Sequence, residues 1–437
     1  MLNKLLRAIE RIIPKKLYKL GQPVYHYLLA LTAALIYRFP SRDINIVAVT
    51  GTKGKSTTVE LTAAILEAAG YSVASLSTVQ FKIGKNVRPN LFKMTVPGRF
   101  FVQKFLREAV DAGCHYVVLE MSSQAALQFR HKHIDFDALI YTNLAPEHIE
   151  SHGSFENYRD TKLNIARAVM SSSKPNPIIV ANADDAEGEK FLTIGGTHGI
   201  PYRLKDGEPF TTTTEGSTFV FREHVIHLHI SGVFNIMNAL GAATLAEAHH
   251  IPIEAIVSGL ESVQSVRGRV EYIKEGQSFN VVVDYAHTPE SLESLYEIFR
   301  GHHNICVLGN TGGGRDTWKR SVMAGIAEKH CNEILLTNED PYDEDARAII
   351  AQMEEGVIDK QRLSVIIDRR EAIREAFARA ERRVMQKDPN TENISVLITG
   401  KGTDPYIMSA EGSKTEWDDA RVAREELAKL TANGKEA

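Results

Sequence analysis

The sequence predicts an α/β protein: a large, mainly parallel sheet domain at the centre, a second α/β domain after it, and a short helical segment in front. Three observations predict this. From Asp43 onward, short β-branched runs alternate with longer stretches of helical apolar spacing, the pattern of repeated strand–helix–strand units. A glycine-rich loop joins the first such run to the first such helix. The 437 residues, at roughly 150 per domain, suggest two or three domains rather than one.

The leading segment, 1–42, is set apart by charge. Lys4, Arg7, Arg11, Lys15, Lys16, Lys19, Arg38 and Arg42 face a single acid, Glu10. Its apolar stretch Val24 to Phe39 is shorter than the roughly 20 residues a bilayer span needs and contains His26. It reads as a pair of helices packed on the next domain, or as a basic helix lying on an anionic membrane surface. Over the whole chain 51 Lys and Arg oppose 55 Asp and Glu, so no global charge recruits a nucleic acid. The 43% hydrophobic content is ample for buried cores. Cys114, Cys306 and Cys331 offer neither a disulfide framework nor a CxxC metal knuckle, which fits a reducing compartment.

Ile44 to Val49 reads as a buried strand and Val59 to Ala69 as a helix. Between them lies Thr50-Gly51-Thr52-Lys53-Gly54-Lys55-Ser56-Thr57. The glycines allow backbone N–H groups to turn toward an anion, and the helix N-terminus adds its dipole. Lys55 can reach terminal phosphates and the Ser56 hydroxyl can ligate magnesium. Val49 occupies the place of the first glycine of a standard P-loop. A nucleoside triphosphate is the natural ligand. Two further strands, Tyr116 to Leu119 and Ala138 to Tyr141, end at Glu120 and at Thr142-Asn143, where parallel sheets place ligands. Glu120 there either meets the magnesium beside Ser56 or caps a helix.

These residues resemble the ATP loop of the Mur ligases, and further blocks occur in that family's order. They are Thr95-Val96-Pro97, Glu120-Met121-Ser122-Ser123, Thr142-Asn143-Leu144 with Glu147-His148, Tyr158 with Lys162, Gly232-Val233-Phe234-Asn235 with Asn238, and Gly268-Arg269-Val270-Glu271. Asp284-Tyr285-Ala286-His287-Thr288-Pro289, Gly312-Gly313-Gly314-Arg315-Asp316 with Lys319-Arg320, and Gly400-Lys401-Gly402 look most like the branch that adds the third amino acid of the peptidoglycan peptide.

The resemblance implies a P-loop-type ATP-binding domain at 43–266, a Rossmann-like C-terminal domain at 267–437, and an ATP-dependent acid–amino-acid ligase acting in the cytoplasm as a monomer. It implies ATP and two Mg2+, with Lys55, Glu120, His148 and Lys162 catalytic, and Ser56, Glu120, His148 and a carbamylated Lys162 around the metal. Gly51 to Thr57, Asn235, Asn238, Arg269, Asp284 and His287 would hold ATP. Thr95, Ser122, Ser123, Gln128 and Arg130 would hold the muramyl-dipeptide nucleotide. Arg315, Asp340, Tyr342, Gly400 and Asp404 would hold the amino acid.

Such chemistry turns a carboxylate into an acyl phosphate that an amine can attack, so most of the work is positioning and charge neutralisation. Several positions depart from the family pattern. Gln124 stands where a histidine is usual and Val96 where a threonine is. The usual Asp-Asn-Pro-Arg reads Glu339-Asp340-Pro341-Tyr342, and the last block continues Thr403-Asp404 rather than His-Glu. Without the arginine that reads a distal carboxylate, lysine stands beside diaminopimelate as the added residue. Only about 42 residues precede the ATP-binding part, where relatives carry a uridine-nucleotide domain, so a lipid-linked acceptor met at the inner membrane face is an alternative. A folylpolyglutamate-type ligase and a non-catalytic scaffold are the others. The residues after Trp417 read as a surface helix with a frayed end.

Overall fold

The computed structural model describes residues 15–147, 149–386 and 393–433. A helix, Lys15–Ile36, precedes the first sheet and packs on the helix Arg99–Asp111 through Ala30, Ala33 and Ala34. Its other side exposes Val24, Leu28, Leu35 and Ile36. The second helix expected in the leading segment falls on residues outside those described. No described helix is long and apolar enough to cross a membrane.

The first sheet has eight strands: β1 (Asn45–Thr50), β2 (Val73–Leu76), β3 (Gln80–Ile83), β4 (Asn86–Pro89), β5 (Tyr116–Glu120), β6 (Ala138–Tyr141), β7 (Ile178–Asn182) and β8 (Gly199–Tyr202). Their order is β4-β3-β2-β5-β1-β6-β7-β8, antiparallel only at the β4-β3-β2 edge. β1 shows why the sequence builds a central strand. Ile46 and Ala48 point into one core while Val47 and Val49 point into another, all at 0% exposure. A strand covered on both faces reads as a continuous apolar run, and each buried valine or isoleucine contributes roughly 1.5–3 kcal/mol. The helix Lys55–Ala68 follows β1 and lies against the helices Val233–Ala248 and Ile253–Ser262. A Cβ on Gly259 would sit 2.4 Å from the Ile65 Cα, so that crossing requires glycine.

Three short antiparallel strands, β9 (Thr211–Thr212), β10 (Ser217–Phe221) and β11 (His224–Leu228), lead toward a second large sheet. That sheet contains β12 (Glu271–Tyr272), β13 (Asn280–Asp284), β14 (His303–Leu308), β15 (Glu333–Leu336), β16 (Leu363–Val365) and β17 (Ile394–Thr399). It runs β12-β13-β17-β14-β15-β16 and is parallel apart from β12. A hairpin, β18 (Tyr406–Met408) with β19 (Lys414–Glu416), precedes the last helix, Asp419–Asn433.

Two sequence expectations are corrected. The last helix is no surface appendage: Ala420, Val422, Ala423 and Leu427 are fully buried in the second sheet's core. Asp419, also buried, accepts two hydrogen bonds from Arg369 at 2.8 and 2.7 Å, a fork that pins the helix start. Cys306 and Cys331 form a disulfide, Cα–Cα 6.1 Å. Their 25-residue separation gave no sign of it, because the parallel crossover from β14 through the helix Lys319–His330 brings the two ends together.

Candidate active site

The glycine loop leaves the carboxyl end of β1 and becomes the helix Lys55–Ala68 at Gly54, φ +79°. A Cβ on Gly54 would lie 2.1 Å from the Asn238 Oδ1, and one on Gly51 1.9 Å from the Thr142 Oγ1, so both positions exclude a side chain. The loop is moored to the end of β6. The Thr52 N–H donates to the Asn143 carbonyl (2.8 Å), the Lys53 N–H to its side chain (2.9 Å), and the Thr142 hydroxyl to the Lys53 carbonyl (2.6 Å). Thr52 also shares a hydrogen bond with the Tyr158 hydroxyl at 3.0 Å, and Thr57 is buried on the helix. The Lys55 Nζ turns back onto the Thr52 carbonyl at 2.7 Å.

Glu120, 2% exposed at the end of β5, meets this loop. Its carboxylate accepts from the Ser56 hydroxyl (2.8 Å) and from the Thr78 N–H (2.8 Å) and hydroxyl (2.9 Å). Hydroxyl and carboxylate oxygens in contact at a helix N-terminus are the hard donor set magnesium takes, so these residues fit the metal. Lys162 lies beside them on the helix Phe155–Met170, 1% exposed, donating to the Gly51 carbonyl at 2.6 Å. Burial, and then the Lys55 charge, hold its amine well below the ordinary lysine range, against the pull of Glu147 and Glu120. An ammonium there would repel a metal; a neutral amine is the form that adds carbon dioxide. His148 lies outside the described residues.

The acceptor-side residues are divided. Thr95 pairs with Thr78 (2.8 Å), which itself donates to Glu120, and Ser123 pairs with the His152 Nε2 (3.1 Å). Ser122 is used locally, capping the short helix Ser123–Leu127. Arg130 donates to the Gln128 side chain at 2.7 Å and to the Val96 carbonyl. Burial, with Arg99 beside it, lowers its pKa to about 10.

The second domain closes over the loop. Lys53 pairs with Glu290 at 3.2 Å, and the His287 Nε2 contacts Glu147 at 3.0 Å. Asn238 donates to the Asn235 side chain (3.1 Å) behind Gly54. Arg269 stacks on the Tyr285 ring, 4.5 Å from its centroid. Asp284 instead serves the backbone, accepting from the Val270 and Ala286 N–H groups at 2.7 and 2.6 Å.

The amino-acid residues do converge. The exposed Arg315 guanidinium covers the Tyr342 ring at 4.8 Å. Asp340 takes Lys401 at 2.9 Å and Lys93 at 2.5 Å; Asp404 takes the same two at 3.0 and 3.2 Å. Gly400, φ +105°, passes so close to Glu339 that a Cβ would lie 2.3 Å from its carboxylate. Sequence reasoning missed Lys93 and Thr78 as members of this site. Neither carries a local signal, since both act on groups brought to them only by the fold. Asn143 and Lys401 sat inside recognised blocks without an assigned role.

Residues 49–246 match the Mur ligase middle domain, and residues 268–402 match the Mur ligase glutamate ligase domain. A UDP-N-acetylmuramyl-tripeptide synthetase of Roseiflexus sp. (strain RS-1) is 35% identical over 93% of this chain and 83% of its own length. A UDP-N-acetylmuramoyl-L-alanyl-D-glutamate--2,6-diaminopimelate ligase of Syntrophomonas wolfei is also 35% identical, over 91% and 81%. Among solved structures, a ligase of that same name superposes with a TM-score of 0.59 at 27% identity, over 89% of this chain and 79% of the other. Mycobacterium tuberculosis folylpolyglutamate synthase with ADP shares the fold, TM-score 0.67 at 16% identity over 85% and 91%. With both domains matched, and 35% identity to relatives sustained over nine-tenths of its length, the chain belongs to the Mur ligase family.

Proposed function

We propose that the protein is an ATP-dependent ligase of peptidoglycan precursor synthesis, joining the third amino acid to a muramyl dipeptide. The observation that carries this reading is the convergence of Ser56, Glu120 and Lys162 at the ATP loop, under a second domain that presents a charged amino-acid pocket. Lys55 and the loop N–H groups would orient the β- and γ-phosphates, while Glu120 with Ser56 and a carbamylated Lys162 would hold magnesium, two ions in all. The bound metal supplies charge neutralisation while the acceptor carboxylate takes the γ-phosphoryl group. The chain's own groups then exclude water from the acyl phosphate: Lys53–Glu290 and His287–Glu147 draw the second domain over the cleft. Arg315 receives the carboxylate of the incoming amino acid, whose amine attacks the acyl carbon, gives up a proton and forms the amide as inorganic phosphate leaves.

Charge accounting favours diaminopimelate over lysine. Asp340 and Asp404 already face two ammonium groups, Lys93 and Lys401. A lysine substrate would bring a third cation into a neutral pocket. The zwitterionic end of diaminopimelate brings one charge of each sign, its carboxylate to Lys93 and its ammonium to the Asp404 Oδ1, a buried oxygen with no hydrogen-bond partner. Relatives named for diaminopimelate agree with this choice.

The finer reading places a monomeric enzyme in the cytoplasm, with 1–42, 43–266 and 267–437 as its segments. The basic, apolar-faced leading helix would touch the inner membrane face peripherally. The test is phosphate release from ATP and magnesium with the muramyl-dipeptide nucleotide, comparing meso-diaminopimelate, lysine and no amino acid. Release that requires both substrates, with the added mass in the product, is expected. Glutamylation of a folate, or ATP binding without turnover, would overturn the reading.

A further inference from the structure

Between the leading helix and the first sheet, basic side chains gather with no acid paired to them among the described residues. Arg99 opens the helix Arg99–Asp111, whose N-cap is Gly98, with no side-chain cap and no acidic residue in the first turn. The Arg99 Nε and Nη2 are buried without a hydrogen-bond partner. Arg130, 8% exposed, spends its two terminal nitrogens on the Val96 carbonyl and Gln128, and its Nε has no partner. From the leading helix His26 adds an Nδ1 that is likewise buried and unpartnered. The three sit within reach of one another's charge. Burial first, and then Arg99, depress the pKa of both Arg130 and His26, and among the described residues only the Tyr25 phenol favours the Arg99 cation.

Buried donors without partners, held by like charges against one another, are a cost that folding alone does not repay. An anion repays it. A single carboxylate neutralises one guanidinium and leaves the other stranded. A phosphoryl group, with two charges and several oxygens, accepts from the open Nε–Nη2 side of Arg99, the Arg130 Nε, the imidazole and the free N–H groups of the helix start together.

We propose that His26, Arg99 and Arg130 form a site for the diphosphate group of the acceptor substrate. The ligand's identity rests on the ligase reading; the anion site itself does not. The diphosphate has two sources, a nucleoside diphosphate or a polyprenyl diphosphate.

The test is calorimetric titration of inorganic pyrophosphate, in magnesium-free buffer with a chelator, into the full chain carrying Lys55→Ala, which disarms the ATP loop. Pyrophosphate is expected to bind. Adding Arg99→Gln is expected to weaken binding by about tenfold or more, as loss of a charge-assisted hydrogen bond would. Lys104→Gln, an exposed charge on the same helix, is expected to leave it unchanged. Equal affinity with and without Arg99, or no binding by a protein that melts cooperatively, overturns the site. Melting without anion separates ligand binding from a structural role. Arg99→Gln removes one of two mutually repelling cations and is expected to keep or raise the melting temperature, whereas a clear drop overturns the proposal. Displacement of pyrophosphate by uridine diphosphate supports the site and identifies the nucleotide source. Displacement by farnesyl diphosphate alone supports it and identifies the lipid source. Failure of the ligase reading looks different: pyrophosphate still binds here, but ATP yields no phosphate with acceptor and amino acid.

Discussion

At the scale of single residues, the proposed chemistry depends on two lysines that the fold treats differently. Lys162 is buried beside Lys55, and its depressed pKa means the unfolded chain binds a proton the folded chain refuses. Stability from this group therefore rises with pH from its folded pKa toward the free-lysine value of about 10.4. Lys162→Met is expected to abolish phosphate release while keeping or raising the melting temperature, because the desolvation cost of a buried amine is removed. Lost activity together with lost stability would assign the lysine to packing instead. Lys93 is the reverse case, a cation made useful by partners. Lys93→Met is expected to lower kcat/KM for diaminopimelate by about tenfold, the cost of one charge-assisted contact, and to leave lysine unchanged or improved. Equal losses on the two substrates would refute selectivity. The position of Lys162 was legible because a tyrosine four residues earlier marks the block. Lys93 was not legible, since its partner Asp340 lies 247 residues away and nothing around it marks a site.

At the scale of elements, the strands flanking the ATP loop were readable because burial on both faces leaves an unbroken apolar run, as in β1 and β6. What the pattern could not give was the crossing of helices. Gly259 looks like an ordinary glycine in a helical stretch, yet the helix Lys55–Ala68 passes against its backbone. Gly259→Ala is expected to destabilise by about 2 kcal/mol, overpacking outweighing the gain in helix propensity, and to raise the KM for ATP by shifting the loop's helix. Unchanged melting would show that the crossing can relax. The same helix carries Glu60, whose pKa burial raises to about 7. The folded chain thus holds a proton that the unfolded chain releases between about pH 4.5 and 7, so stability falls as pH rises through that window. Glu60→Gln is expected to melt higher than the parent at pH 8 and equally at pH 4.5. A pH-independent difference would locate the effect elsewhere.

At the scale of the whole molecule, two sheets with separate cores meet over one loop, where charged pairs join them, while Phe234 of the helix Val233–Ala248 packs against the second core. The Lys53–Glu290 pair, whose carboxylate is exposed, contributes little to stability, about 1 kcal/mol or less. Its effect is on the cleft. Glu290→Gln is expected to leave the melting temperature unchanged and to lower the KM for ATP a few-fold, on the order of the worth of such a pair, because Lys53 is freed to face phosphate. A raised KM would show instead that the pair holds the cleft in its working shape. The two-domain α/β architecture was visible from the alternation of patterns. The burial of the final helix was not, because its anchor Arg369 to Asp419 joins residues 50 apart around a strand that neither belongs to.

The cluster of Lys93, Lys401, Asp340 and Asp404 also constrains how this lineage can change. Its members come from separate stretches of chain on both sides of the cleft, and each is neutralised by the others. Placing an arginine at Tyr342, beside the Arg315 guanidinium and the Lys93 ammonium that lie 4.8 and 5.7 Å from that ring, would add a further cation to a balanced set. That step becomes favourable only after Lys93 has lost its charge. The two positions are therefore coupled: Tyr342→Arg and loss of the Lys93 charge are expected to be non-additive in a double-mutant cycle.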